Sequence, residues 1–177
     1  MVKIDRDISH LIKDSAARKK ILRDEINSII DLLTQIENDF MSILNVINAH
    51  AQEDFNGANR ATKLVSLRNE LTESYKFWGS VAKLNHPIFD PGNPATTIEA
   101  DSLLRIGKFA EQVQNKILEL KNIVSDPDPR KNIDKVNLLM MFKRLVRIVY
   151  DNLGKYLTAY NSREINAKVS AIKSKVA

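Results

Sequence analysis

The sequence predicts an all-α protein: an antiparallel, up-down-up-down four-helix bundle whose long first and last helices extend past the same end. Two observations carry that expectation. Leu22, Ile26, Ile29, Leu33, Ile36, Phe40, Ile43 and Ile47 follow one another at steps of four and three without a miss, the stripe of a helix packed lengthwise on its neighbours. Three further segments repeat that rhythm, and all five prolines (Pro87, Pro91, Pro94, Pro127 and Pro129) fall in the connections between them.

The first helix is expected over about 5–50. Ile4, Ile8 and Leu11 already keep helical spacing, as a short separate helix or as the first turns of this one with a bend near Asp14-Ser15. It closes at Asp54-Phe55-Asn56-Gly57, where Asn-Gly favours a turn. The second helix, about 58–85, carries Leu64, Leu67, Leu71, Tyr75, Trp78 and Val81 (or Ala82) as its seam, and Phe77, Val81 and Leu84 as a second edge. A stiff, proline-rich stretch at 86–95 follows. Thr96 and Glu99 then form a reciprocal capping box at the head of a third helix, about 97–124. Its seam is Leu103, Ile106, Ala110, Val113, Ile117, Leu120 and Val124.

After the Asp-Pro turn at 125–129, the fourth helix has two stripes. Leu139, Phe142, Val146, Val149, Leu153, Tyr156 and Tyr160 form one, and Leu138, Met141, Leu145 and Ile148 lie beside it. Near Asn161-Ser162 the pattern slips out of phase into Ile165, Val169, Ile172 and Val176. The chain is therefore read as a single domain, 1–177. Residues 162–177 form an amphipathic tail, either a separate helix or a kinked continuation. That tail pairs with Ile4, Ile8 and Leu11 in a two-helix extension, or folds back over the bundle.

Length and composition agree with this class. A chain of 177 residues with 44% hydrophobic and 28% charged residues can bury a sizeable core. With no cysteine, disulfides and thiolate chemistry are excluded. The longest apolar run, Leu138 to Phe142, is far short of the roughly 20 residues a membrane span needs. No apolar leader follows Met1, so a cytoplasmic location is expected. Charge is uneven: residues 1–129 hold 16 Lys/Arg against 19 Asp/Glu, whereas residues 130–177 hold 11 against 3. Such a basic quarter either neutralises its own acidic bundle or meets an acidic partner, anionic lipid or nucleic acid.

The sequence carries no complete motif for reaction chemistry. No Glu stands three residues before His10, His50 or His86, as a di-iron bundle requires. No Gly-x-Ser-x-Gly elbow and no glycine-rich phosphate loop occur. Ser9-His10-Leu11-Ile12-Lys13 resembles the His-x-x-Lys core of histidine phosphotransfer domains, which are also four-helix bundles. That five-residue resemblance implies His10 as a phosphoryl acceptor. In the family a glycine follows the lysine, whereas here Asp14 does, adding repulsion.

The functional expectation is a non-enzymatic interaction module without cofactor or metal, binding a protein partner or a second copy through the extended end and the apolar face of the fourth helix. Its partner-binding residues are expected at Met141, Leu145, Ile148, Ile165, Val169 and Ile172. A second expectation is a membrane-surface helix, or membrane-active effector, using Lys143, Arg144, Arg147, Lys168, Lys173 and Lys175 on anionic lipid. The same cations make non-specific nucleic-acid binding a third.

Overall fold

The structure, a computed structural model, describes residues 15–49, 64–84, 100–125 and 135–174. Among these there are five α-helices and no strand: α1 (Ser15–Ala49), α2 (Val65–Ala82), α3 (Ala100–Val124), α4 (Lys135–Leu157) and α5 (Arg163–Ser174). A single 3-10 turn, Thr158–Tyr160, separates α4 from α5. The molecule is a helical bundle with one apolar core. The expected turn at Asp54–Gly57, the capping box at Thr96–Glu99 and the start of the first helix before Ser15 lie outside the described residues.

The three-four spacing produces this core directly. Ile29, Leu33, Ile36, Phe40, Ile43 and Ile47 of α1 are all buried, as are Ile106, Ala110, Val113, Ile117, Leu120 and Val124 of α3. In α2 the buried line is Leu64, Leu67, Leu71, Ser74, Trp78 and Val81. Ser74 thus takes the seam position, and Tyr75, expected there, sits half-buried at its edge. A small hydroxyl fits between two packed helices where a tyrosine ring, with its polar tip, stays near water.

Helix directions follow from the contacts. Arg68 Nη1 of α2 donates to the Val124 carbonyl at 3.4 Å, and Gln114 Nε2 of α3 donates to the Tyr75 carbonyl at 3.3 Å. At the other end Gly107 lies against Ala82 and Leu84, so α2 and α3 run antiparallel. Gly107 eases that approach, since a Cβ there would stand a tight 3.2 Å from the Ala82 carbonyl oxygen. α2 stops three residues before the expected Asn85. Leu84 turns into the left-handed region at φ 57 and donates its N–H to the Val81 carbonyl. This conformation is costly for leucine and is held by its side chain packing on Gly107.

An aromatic path links the four long helices. From Phe142 of α4 it passes to Phe40 of α1 (ring centroids 5.7 Å apart), to Trp78 of α2 (6.0 Å) and to Phe109 of α3 (5.9 Å). It returns to α4 at Tyr156 (6.3 Å), about 21 Å further along that helix. Edge-on and offset ring contacts of this kind add to the burial energy.

Candidate interaction site

α4 is the helix on which the candidate residues converge. Its inward side is spent within the chain: Leu138, Phe142, Leu145, Val146, Val149, Leu153 and Leu157 are buried. Of the stripe expected to receive a partner, Leu145 is therefore buried, while Met141 and Ile148 are half-buried against the core. The apolar side chains that α4 does present outward are Val136, 65% exposed, and Met140, 45% exposed. Lys143, Arg144 and Arg147 are exposed on that same edge, with Arg144 Nη2 lying 3.7 Å from Met140 Sδ. At 100° per residue, Val136, Met140, Lys143, Arg144 and Arg147 share one face, and Met141 is rotated away from it.

The tail occupies the bundle instead of projecting from it. α4 ends at Leu157, and the Thr158 hydroxyl donates to the Gly154 carbonyl as the 3-10 turn forms. Asn161 then reverses the chain in the left-handed conformation, φ 47 and ψ 41. Asn tolerates that region better than most residues. Ser162 caps α5: its hydroxyl accepts the Ile165 N–H at 3.3 Å and its carbonyl accepts the Asn166 N–H at 3.0 Å.

From this turn α5 runs back along α4 and lies against both α4 and α1. Ile165 and Ile172 are fully buried and Val169 partly so. Of the two forms expected for the tail, a separate helix or a kinked continuation of α4, the structure has the separate helix, and the out-of-phase stripe explains why. Carried straight on, Ile165 and Ile172 would point away from the core side of α4, and the reversal returns them to it. The expected pairing of this stripe with Ile4, Ile8 and Leu11 concerns residues outside the described set.

Two of the basic residues expected to meet an anion are engaged in this docking. Lys168 pairs with Glu37 of α1 at 3.8 Å, and the Lys173 ammonium stands 5.3 Å from the centre of the Tyr150 ring. Lys175 lies outside the described residues. Lys143, Arg144 and Arg147 remain as the exposed basic group.

Buried polar groups hold the register of these helices. Ser74 Oγ and Trp78 Nε1 both donate to Asp39 Oδ2, at 2.8 and 3.1 Å, tying α1 to α2. Burial pushes the Asp39 carboxyl up from 3.8 to about 6. The two hydrogen bonds pull the other way, and the charge of Glu70 adds to the rise. At the start of the tail, Tyr160 Oη donates at 2.8 Å to Oε1 of Glu25, a carboxylate buried on α1.

Next to that contact lies an open groove of about 430 Å³ between the first turns of α1 and the head of α5. Lys19, Lys20, Arg23 and Ile26 line one side, and Ser162 and Glu164 the other. Among the described residues no three His, Cys, Asp or Glu are gathered as a metal would require. The three histidines, His10 of the phosphotransfer-like motif included, lie outside that set. No described helix is long and apolar enough to cross a membrane. No family model, curated protein or solved structure matches the chain.

Asp39, Ser74, Glu25, Phe109 and the pair Val136/Met140 are the residues that sequence reading passed over. A signal existed for most of them. Asp39 falls between Ile36 and Ile43, and Ser74 between Leu71 and Trp78, each on the three-four rhythm. A polar residue in phase with a seam marks a buried polar contact.

Proposed function

We propose that this chain is a non-enzymatic interaction module, a cytoplasmic up-down-up-down four-helix core that docks an acidic, partly apolar protein surface, another copy of itself included. One observation supports the reading above others: Val136 and Met140 stand exposed on the same edge of α4 as Lys143, Arg144 and Arg147. A small apolar centre bordered by cations is the usual composition of a docking patch, in which the centre supplies affinity and the charges choose the partner. The residues first expected to form the docking face, Met141, Leu145, Ile148, Ile165, Val169 and Ile172, contribute to it indirectly, by fixing α4 and α5 in place. The extended ends of the first and last helices are the part of the original architecture that this reading no longer requires.

The test is association measured on the whole chain by sedimentation velocity over a wide concentration range, alone and with a candidate partner. The double variant V136D/M140D, with helix content unchanged by circular dichroism, is expected to lose the associated species. Equal association of the variant and the parent chain would refute this face.

A second reading rests on the same edge: a basic, apolar helix face also suits the surface of an anionic membrane. Co-sedimentation with vesicles containing anionic lipid, but not with neutral ones, and its loss in K143E/R144E/R147E would favour this reading. Nucleic-acid binding has less support. Every described aromatic is buried or half-buried, leaving none exposed for bases to stack on.

A further inference from the structure

We propose that α5 is an exchangeable arm, closed on the α1–α4 groove of its own chain in the monomer and on the same groove of a second copy in a swapped dimer. This goes beyond the interaction reading above and does not use the Val136 and Met140 face: it names a second copy as the partner and α5 as the element exchanged.

The hinge carries the first part of the argument. The reversal from α4 to α5 is made by Thr158–Tyr160, Asn161 and Ser162, with neither glycine nor proline anywhere from Lys155 to Ser174. No residue in this turn prevents α4 and α5 from joining into one helix over 135–174, about 60 Å long. A short hinge built from residues able to enter a helix is the usual origin of domain swapping.

The arm carries the second. In a continuous helix the stripe of Ile165 and Ile172 would leave the core side of α4 and lie beyond the end of its own bundle. These fully buried side chains then need a groove, and the one with the right shape and charge is that of another copy. Its polar fittings are complementary as well: Glu37 of α1 receives Lys168, and the Tyr150 ring of α4 receives Lys173.

The test changes the hinge and then asks which chain the arm sits on. N161A/S162A removes the residue that tolerates the left-handed turn and the cap of α5, and should lower the dimer dissociation constant by about tenfold. N161G keeps the turn and should stay monomeric. Because the chain has no cysteine, E37C/K168C can be introduced into each hinge variant and joined with a short bismaleimide. The expected product is a cross-linked dimer for N161A/S162A and an internally linked monomer for N161G. A dimer whose links form only within each chain overturns the swap and leaves association through the Val136 and Met140 face standing. N161A/S162A that is folded by circular dichroism and no more dimeric than N161G also overturns it.

Discussion

Asp39 shows how one polar residue is held inside an apolar seam. Its Oδ2 receives two donors from α2, so the contact works only when α1 and α2 are in one register. Burial nevertheless opposes its charge more than those bonds favour it, which is why its pKa is raised. A carboxyl held above its unfolded value stabilises the fold fully below pH 4, and that contribution is lost as the pH rises through about 6. A rise from 3.8 to about 6 corresponds to about 3 kcal/mol between the two limits. In urea titrations, D39N should gain on the parent chain progressively between pH 4 and pH 7. Parallel stability profiles for the two proteins would show that Asp39 is not responsible. Spacing alone put Asp39 in phase with the buried side chains but could not name its partners. Those come from α2, 35 and 39 residues further along the chain.

At the level of helices, legibility depended on how many neighbours each one has. α3 was read in full from Ile106 to Val124 apart from Phe109, because one dominant stripe faces the core. α4 was harder, since it packs against α1, α3 and α5 at once and needs apolar residues over more than half its circumference. Periodicity identifies such a helix without saying which stripe faces outward, and so Val136 and Met140 were passed over in favour of Met141, Leu145 and Ile148. The tail presented the opposite difficulty. The phase slip at Asn161-Ser162 was visible, and the left-handed Asn161 that turns it into a reversal was not. The docking of that tail should be sensitive to the Tyr160 hydroxyl, which reaches the buried Glu25. Y160F removes this donor and should cost about 1–2 kcal/mol in urea unfolding. No measurable loss would mean that the contact is not formed in solution.

Over the whole molecule, five helices share one core, and the chain's surplus of apolar surface is largely consumed by its own tail. Among the described residues, Val65 of α2, Leu104 and Ile123 of α3 and Val136 and Met140 of α4 stay exposed, the last two beside three cations. The central claim is that α5 belongs to the folded core, occupying the groove between α1 and α4. Amide hydrogen exchange of the intact chain, read residue by residue, tests it most directly. Amides from Ile165 to Ile172 should be protected to the same order as those in the buried turns of α4. Exchange across α5 at the rate of an unfolded peptide, with α1 to α4 still protected, would contradict the account.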